Sequence, residues 1–485
     1  MSKLIPFINE NVRKKTAARC KKHNITIPTF KQMINPDLIP PEIKDKLKNV
    51  GLWDINPLNL FRISWKNDIE TGQYGPVNYL EIPREITGTK ARIIGLVGKY
   101  FPTGAHKVGA AFGCLAPRLV SGIFDPEYHK AVWPSTGNYC RGGAFDCALL
   151  DCTPVAILPE EMSRERFEWL KEIGSQVIAT PGCESNVKEI YDQCNKMKSD
   201  PQYMIFNQFE EFGNPLFHYH VTGNAFLELF DALKDSNSKL AAYISATGSA
   251  GTIAAGDKLK KHFPNLKITA TEALQCPTLL MNGFGGHRIE GIGDKHVPWV
   301  HNVRNTDNIA AIDDDDCMRL LRLFNEKAGL NYLKNIGIDS CTLDKLPLLG
   351  ISGICNLLAS IKTAKYYEMD ENDIIFTVFT DSAEMYKSRL DELQIELGDY
   401  ANCLAKADHL AVIKKQGIDY FKELSYYDKK AIHNLKYYTW IEQQGKDLFE
   451  LNEQWSPEYW DNMFENELDL IDNQIIAFNE LIKKS

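Results

Sequence analysis

The feature that most constrains the fold is a series of short apolar segments that end in turn residues. They alternate with stretches of helical character from about residue 90 to about residue 390. Continuous apolar strands are typical of sheets covered on both faces, and helices between consecutive strands are typical of parallel sheets. We therefore expect an α/β protein with parallel sheets covered by helices. The segments are KAVWPS (130–135), PVAILPE (154–160), SQVIATPG (175–182), KLAAYISATG (239–248), LKITATEA (266–273) and DIIFTVFTDS (373–382).

The regions on either side of these segments differ in composition and predict an extension at each end. Residues 1–80 are rich in Asn, Lys and Pro, which indicates an irregular, partly helical N-terminal extension. Residues 81–390 are expected to form the core, with a smaller lobe at about 98–215 and a larger lobe from the remainder. After about residue 390 the strands are expected to stop, and residues 391–485 predict an acidic, helical C-terminal extension.

Charge and hydropathy exclude several classes of protein. The formal net charge is −9 and no basic block occurs, so no nucleic-acid partner is expected. No run of eighteen apolar residues occurs, so no membrane span is expected, and the first residues do not resemble a signal peptide. The twelve cysteines show neither CxxC pairs nor a metal-ligand spacing, which favours reduced thiols in a cytoplasmic protein without a metal site.

The segment FPTGAHKVGA (101–110) places Lys107 directly after a turn and at the start of an apolar helical run. A lysine in the first turn of a buried helix is costly as a cation, because burial and the positive helix end both lower its pKa. One interpretation is a surface lysine whose stem lies along the apolar face. The other is a lysine kept neutral so that it can form a Schiff base.

A second segment, WPSTGNYCRGG (133–143), follows an apolar strand and offers hydroxyls and bare backbone NH groups. Such strand ends are where α/β sheets bind ligands. Ser135, Thr136 and the amide of Gly137 could bind a carboxylate. Asn138 would then donate a hydrogen bond to a ring oxygen. The alternative interpretation is an ordinary Asx-type turn.

A third segment, SATGSAGTIAAG (245–256), also lies between a strand and a helix. Gly248 and Gly251 allow the backbone to turn its NH groups inward, and Thr252 adds a hydroxyl at the start of the helix. These features suit a phosphate. The segment lacks the lysine of a Walker loop and the spacing of a dinucleotide turn, so it favours a cofactor with one phosphate. The alternative is a glycine-rich turn without a ligand.

Taken together, the three segments describe a site for pyridoxal 5'-phosphate and a small amino-acid substrate. The aldehyde would bond to Lys107, the phosphate would lie in the 248–252 loop, and the substrate carboxylate would lie in the 135–137 loop. This combination is far more specific than any one of the three segments.

On these segments the sequence resembles the fold-type II pyridoxal phosphate enzymes, and most closely the cysteine synthase and cystathionine β-synthase family. Order and spacing agree over roughly residues 95–390. The resemblance implies a tryptophan synthase β-like fold with two parallel-sheet domains and helical extensions at both ends. The motifs that carry it are LPEEMSRERFEWLKEIGSQVIATPG (158–182), NPLFHYHVTG (214–223), GSAGTIAAG (248–256), HRIEGIGDKHVP (287–298) and VFTDSAEMY (378–386).

The resemblance also implies the roles of the site residues. Lys107 would hold the cofactor and act as the general base at the substrate's α-carbon. Ser382 would hydrogen-bond the pyridine nitrogen, a neutral partner that favours loss of a β-substituent. The implied cofactor-binding residues are Lys107, His106, Asn138, Gly248, Ser249, Ala250, Gly251, Thr252 and Ser382, and the implied substrate-binding residues are Ser135, Thr136, Gly137 and Gln208.

Three departures from the family pattern leave the substrate open. Residues 105–109 look more like tryptophan synthase β, and the Ser-Thr-Gly-Asn of residues 135–138 is closer to threonine synthase. Ala250 replaces a glycine of the phosphate loop, which narrows the choice of backbone angles there.

The expected reaction is β-replacement or β-elimination on O-acetylserine, serine or cysteine through an aminoacrylate. The alternative is an ammonia-lyase, dehydratase or threonine-synthase-like activity, with the chain as the pyridoxal phosphate subunit of an amino-acid-degrading complex. We expect a homodimer, and the extensions could recruit an additional subunit.

Other polar segments have simpler explanations. The run DDDD (313–316) predicts a helix start, where carboxylates accept hydrogen bonds from free NH groups, although a metal site is the alternative. Arg141 could pair with a second substrate carboxylate or with a nearby glutamate.

Overall fold

A computed structural model of the protein describes residues 3–135, 137–183, 186–293 and 295–485. Two separate sheets form the centre of the molecule. The strands, in chain order, are β1 (Tyr79–Ile82), β2 (Arg92–Val97), β3 (Lys130–Pro134), β4 (Thr153–Pro159), β5 (Gln176–Thr180), β6 (Tyr203–Ile205), β7 (Lys239–Ala246), β8 (Lys267–Ala273), β9 (Asn308–Ile312), β10 (Asp373–Phe379) and β11 (Phe421–Glu423).

The larger sheet has the strand order β1-β2-β10-β7-β8-β9-β11. Its five central strands are parallel to one another. The edge strands β1 and β11 are antiparallel to the strands next to them. The smaller sheet has the order β5-β4-β3-β6 and is entirely parallel. These sheets confirm the predicted α/β class with parallel strands. The predicted limits of lobes and extensions remain predictions.

All six apolar segments of the sequence form strands, which are β3, β4, β5, β7, β8 and β10. The expectation that strands stop after residue 390 is wrong, because β11 pairs with β9. This strand has only three residues, two of them exposed, so it shows none of the apolar continuity of a buried strand. The run at 313–316 does begin a helix, and the Asp313 carboxylate accepts a hydrogen bond from the backbone NH of Asp315.

Helices cover both sheets, make up most of the C-terminal extension and occur in parts of the N-terminal extension. They are α1 (Glu10–Lys22), α2 (Phe30–Ile34), α3 (Pro41–Leu47), α4 (Arg84–Thr87), α5 (Lys107–Val120), α6 (Asn138–Leu149), α7 (Arg164–Glu172), α8 (Val187–Met197), α9 (Gly213–Phe217), α10 (Gly223–Leu233), α11 (Ile253–His262), α12 (Thr278–Met281), α13 (Asp314–Asn325), α14 (Lys327–Asn335), α15 (Ser340–Lys345), α16 (Ile351–Tyr366), α17 (Lys387–Leu397), α18 (Asn402–Asp408), α19 (Tyr426–Lys436), α20 (Leu448–Glu453), α21 (Pro457–Glu465) and α22 (Glu467–Lys484).

The two ends of the chain pack against each other. Helices α1 and α22 are in contact, and both contact α5. The Asp472 carboxylate accepts hydrogen bonds from the backbone NH groups of Phe30 at 2.7 Å and Lys31 at 3.1 Å, so a residue of α22 caps the first turn of α2. The extensions are therefore tied to each other and to the core.

Helix α16 runs through the core and packs on β10 and β7. In the part of the chain that the structure describes, no single helix meets the length and composition expected of a membrane span. Two consecutive helical segments meet the length and composition criteria only when they are taken together. They are Ser340–Leu348 and Ile351–Tyr366, and the chain bends by 113° between them.

Candidate active site

A pocket of about 600 Å³ lies between the carboxyl ends of β3, β7 and β10 and the first turns of α5 and α6. Parallel strands end at this edge, so short side chains and backbone NH groups from distant parts of the sequence converge there. The residues that line the pocket are His106, Lys107, Ser135, Asn138, Tyr139, Gln208, Phe209, Ala246, Gly248, Ser249, Ala250, Thr252, Gly291, Ile292, Ser352, Asn356, Val378 and Thr380.

Lys107 is the first residue of α5, as the sequence predicted, and its side chain points into the pocket. Its ammonium nitrogen Nζ donates a hydrogen bond to Ser249 Oγ at 2.8 Å. A longer contact of 3.4 Å joins Nζ to Gln208 Oε1. The lysine therefore lies directly against the predicted phosphate loop and is not on the surface.

The phosphate loop depends on glycine at two positions because its backbone is tightly surrounded. A Cβ atom at Gly248 would lie 2.6 Å from the carbonyl oxygen of Gly291, and one at Gly251 would overlap Asn214 Oδ1. Ala250 has a φ of 60°, the left-handed region that favours glycine. The alanine that replaces the family's glycine at position 250 therefore adopts a backbone conformation that is strained for alanine.

His106 is fully buried beside Lys107. Its Nε2 atom lies 3.3 Å from Thr380 Oγ1, and its ring packs edge-on against that of His218, with 4.8 Å between centroids. Burial, reinforced by the charge of Lys107, holds the pKa of His106 well below its ordinary value. His106 is therefore neutral at physiological pH and places an uncharged ring at the pocket wall.

The predicted carboxylate loop connects β3 to α6. The Ser135 hydroxyl accepts a hydrogen bond from the backbone NH of Gly137 at 3.0 Å. Gly137 has a φ of 151°, and a Cβ atom there would overlap the guanidinium of Arg166. This glycine is therefore required by the side chain behind the loop. Thr136, also predicted here, lies outside the described residues.

A buried polar network lies behind this loop. Asp381 Oδ2 accepts hydrogen bonds from Asn138 Nδ2 at 2.6 Å and from the Tyr386 hydroxyl at 2.7 Å. Arg166 donates to the Tyr386 hydroxyl at 2.9 Å and forms an ion pair of 3.1 Å with Glu290. Burial raises the pKa of Asp381, whereas the positive charge of Arg166 opposes that increase.

Arg141 forms no ion pair with a glutamate among the described residues, and its pairing with a second substrate carboxylate stays a prediction. Its Nη1 atom donates to Met385 Sδ at 2.8 Å, and its guanidinium lies over the Trp169 ring at 4.5 Å. Burial and the nearby charge of Arg166 lower the pKa of Arg141 to about 10. This arginine supports the loop from behind and does not line the pocket.

Most predicted site residues meet at the pocket, but three of the described ones do not line it. They are Gly137, Gly251 and Ser382. Gly251 supports the phosphate loop from behind, and Gly137 does the same for the carboxylate loop. The Ser382 hydroxyl is buried without a hydrogen-bond partner among the described residues. Its place at the pyridine nitrogen therefore stays a prediction, and Thr380 is the β10-end hydroxyl that does line the pocket.

Several lining residues were missed by the sequence analysis. Ser352 and Asn356 lie one turn apart at the start of α16. The segment GISG (350–353) at this helix start is glycine-containing, like the three segments from which the site was predicted. That signal could have been found. Ile292 lies within the 287–298 motif that the sequence analysis quoted, although it was not named there as a site residue. Phe209 carries no local signal, because an apolar residue in a loop is not distinctive without its tertiary contacts.

The pocket fits pyridoxal phosphate on the chemistry of its unpaired polar atoms. His106 Nδ1, Asn138 Oδ1 and Asn356 Oδ1 are buried without a hydrogen-bond partner among the described residues. Buried polar atoms are nearly always paired, so these atoms indicate a polar ligand. Lys107 would hold the aldehyde carbon, and the loop at 248–252 would hold the phosphate.

The sequence and the structure were compared with known proteins. A family model described as "Pyridoxal-phosphate dependent enzyme" matches residues 74–332. The chain is 30% identical over 288 residues to a cysteine synthase of Staphylococcus aureus, an alignment that covers 59% of this chain and 84% of that protein.

Two solved structures illustrate the similarity in fold. A hydrogen sulfide-producing enzyme of Fusobacterium nucleatum is 25% identical with a TM-score of 0.54, covering 64% of this chain and 95% of that chain. A cysteine synthase of Entamoeba histolytica is 22% identical with a TM-score of 0.57, covering 70% of this chain and 94% of that chain. Both alignments leave about a third of this chain without a counterpart.

Proposed function

Because this chain belongs to the pyridoxal-phosphate dependent enzymes, we propose that it catalyses β-replacement or β-elimination on a small β-substituted L-amino acid. O-acetylserine, serine and cysteine are the substrates that the site suits. The names of the cysteine synthase and sulfide-producing relatives support this class of reaction.

The observation that carries the proposal is the lack of acidic side chains among the described residues that line the pocket. Among the described residues that line it, none is an aspartate or a glutamate. Asp381, a buried acid that follows the lining residue Thr380, does not line the pocket and accepts hydrogen bonds from Asn138 and Tyr386. Pyridoxal phosphate supplies an electron-withdrawing ring at the substrate's α-carbon, and a neutral partner leaves its nitrogen unprotonated. A weaker electron sink favours prompt departure of a β-substituent.

The residues of this chain would transfer the proton and orient the substrate. Lys107 Nζ, in the first turn of α5, would take the α-proton as the bond between Cα and hydrogen breaks. The β-group then leaves with the electron pair of its bond to Cβ. The loop at 135–138 would orient the substrate by its carboxylate, and neutral His106 adds no competing charge beside Lys107. Replacement is complete when a thiol loses its proton and adds through sulfur at Cβ and Lys107 returns a proton to Cα, whereas hydrolysis releases an oxo acid and ammonia.

The test is a product analysis with the purified holoenzyme. O-acetylserine with sulfide, serine with a thiol, cysteine alone, serine alone, threonine alone and a phosphorylated homoserine are incubated separately, and the products are identified by mass spectrometry. Cysteine or a thioether would establish replacement, and sulfide with pyruvate would establish elimination. Threonine from a phosphorylated homoserine, or an oxo acid from serine or threonine only, would instead establish the threonine-synthase-like or dehydratase alternative. Absence of all these products would overturn the proposal.

We also propose that the protein acts in the cytoplasm as a homodimer. All twelve cysteines are free thiols, which suits a reducing compartment. Large exposed apolar side chains such as Phe284, 79% exposed, and Ile395, 86% exposed, are available for subunit contacts. Light scattering of the purified protein tests the dimer, and copurification would identify an additional subunit bound to the extensions.

A further inference from the structure

The C-terminal part of the chain reaches the back of the active-site pocket. Helix α19 and the π-helical segment Tyr437–Gln443 that follows it pack against residues 297–301. The matched family region ends at residue 332, so this contact is made by a part of the chain outside it. Residues 295–302 form neither helix nor strand, so their backbone groups need partners from elsewhere.

Lys436, the last residue of α19, supplies several of those partners. Its side chain is fully buried, and Nζ donates to the carbonyl oxygens of Trp299 at 2.9 Å and His301 at 2.7 Å. A third hydrogen bond, of 2.7 Å, goes to Gln454 Oε1. Three acceptors match the three protons of an ammonium group. Lys436 therefore acts as a structural crosslink between α19, the 297–301 segment and the residue that follows α20.

Trp440 holds the same segment from the next turn. Its indole NH donates to the carbonyl oxygen of Val297 at 2.8 Å. Its ring packs against the ring of His296, with 5.6 Å between centroids, and against that of Tyr191 at 6.2 Å. The Tyr191 hydroxyl lies 3.1 Å from His296 Nε2, so a hydrogen bond also joins two members of this aromatic cluster.

The held segment is in direct contact with the pocket wall. The backbone NH of Val300 donates to the carbonyl oxygen of Phe209 at 3.2 Å, and the His296 ring packs edge-on against the Phe209 ring at 4.9 Å. Phe209 lines the pocket, and the preceding Gln208 contacts Lys107. On the other side, Gly291 and Ile292 of the same loop line the pocket beside Gly248.

We propose that Lys436 and Trp440 are positioning residues for the active site, acting through residues 296–301 on Phe209 and Gln208. This inference rests on the proposed function for its catalytic consequence. It makes the C-terminal extension a required part of the active-site wall. The core matched by the family model would not hold this wall alone.

The test compares two substitutions with a control on the same segment. Lys436→Met keeps the length of the side chain but removes all three hydrogen bonds, and Trp440→Phe keeps an aromatic ring but removes the indole NH. Tyr438→Phe is the control, because Tyr438 lies between them and is 62% exposed. Hydrogen–deuterium exchange of the holoenzyme is followed by mass spectrometry over peptides that cover 206–210 and 291–301.

The expected result is faster exchange in those two regions, by about tenfold or more, with the control unchanged and with β3, β4 and α16 unaffected. Turnover should fall by about tenfold, and the KM for the amino acid should rise, because Gln208 and Phe209 are displaced. Trp440→Phe gives an independent answer if Lys436→Met fails to fold. Unchanged exchange in both regions, or equal acceleration throughout the core, would overturn the inference.

The two proposals fail separately in this design. Exchange is measured without any substrate, so it tests the positioning role whatever reaction the protein catalyses. If exchange responds as expected and none of the candidate amino acids is converted, the proposed function is wrong and the positioning role stands. If the amino acids are converted but exchange in both regions is unchanged, the positioning role is wrong.

Discussion

Asn138 and Asp381 are joined by a hydrogen bond of 2.6 Å between Asn138 Nδ2 and Asp381 Oδ2. Asn138 begins α6 behind the smaller sheet, whereas Asp381 lies two residues beyond the last residue of β10 in the larger sheet. The bond therefore links the predicted carboxylate loop to the end of one of the inner strands of the other sheet. Asp381 itself does not line the pocket.

The first prediction tests this link. Asp381→Asn should lower kcat/KM by about tenfold, because a charge-assisted hydrogen bond to Asn138 is worth about 1.5–3 kcal/mol. Labelling of Lys107 by borohydride should be unaffected, since Asp381 does not line the pocket. Glu384→Gln is the matched control, as Glu384 lies three residues away and forms an exposed ion pair with Lys99. Equal kcat/KM in wild type and Asp381→Asn would contradict the prediction.

Lys107→Ala should abolish covalent attachment of the cofactor while the fold is retained. The substitution removes the amine that contacts Ser249 together with the methylene groups beyond Cβ, and the apolar residues of α5 keep their contacts. Turnover should fall by roughly two to four orders of magnitude, as expected for loss of a general base. Borohydride reduction followed by peptide mapping locates the label in the wild type. A pyridoxyl group on any other lysine would refute the assignment, and circular dichroism checks the fold.

Gly251→Asp should abolish cofactor retention. The new Cβ would overlap Asn214 Oδ1, and the new carboxylate would lie close to the site where a phosphate is expected. Absorbance near 410 nm after extended dialysis measures retention. A variant that keeps the cofactor would show that the phosphate binds elsewhere.

Ala250→Gly should retain the cofactor and leave the free energy of unfolding unchanged or raised by up to about 1 kcal/mol. Relief of the left-handed conformation at φ 60° outweighs or balances the extra chain entropy that glycine loses. Urea unfolding of the apoenzyme measures the difference. The Ala250→Gly variant also serves as a conservative control for Gly251→Asp, since both substitutions lie in the same loop. A clear loss of stability would mean that the methyl group makes a contact stronger than the strain.

Asp146→Asn should stabilise the protein at neutral pH. Asp146 is fully buried on α6, neither carboxylate oxygen has a hydrogen-bond partner among the described residues, and burial raises its pKa well above the usual value. The folded state then binds a proton that the unfolded state loses above its pKa of about 3.9.

The wild type therefore loses stability as pH rises from about 4, by about 1.4 kcal/mol per pH unit until the folded pKa is reached. The Asp146→Asn variant lacks this pH dependence. The difference in the free energy of unfolding between the variant and the wild type should therefore be small near pH 3 and grow toward pH 7. Urea unfolding at several pH values measures it, with the exposed Asp391→Asn as control. A constant difference between the two proteins would show that Asp146 is not protonated in the fold.

The amino-acid sequence by itself determined the fold class and the chemistry of the site. Six strands were found because a strand buried on both faces must be apolar throughout, and that pattern is local. The positions of Lys107 and of the 248–252 loop at helix starts were found for a similar reason, since a turn followed by a helix start is encoded in adjacent residues, whereas their roles toward the cofactor stay predictions. The short edge strand Phe421–Glu423 was missed because exposed strands carry no such pattern.

Only the tertiary structure decided which side chains surround Lys107 and what supports them. Thr380 lines the pocket, whereas Asp381 turns to Asn138, a distinction that depends on how the ends of β3 and β10 meet. Lys436 acquires its role through carbonyl groups more than 130 residues away. Such contacts depend on strand order and helix packing between distant parts of the chain, and no local spacing of residues encodes them.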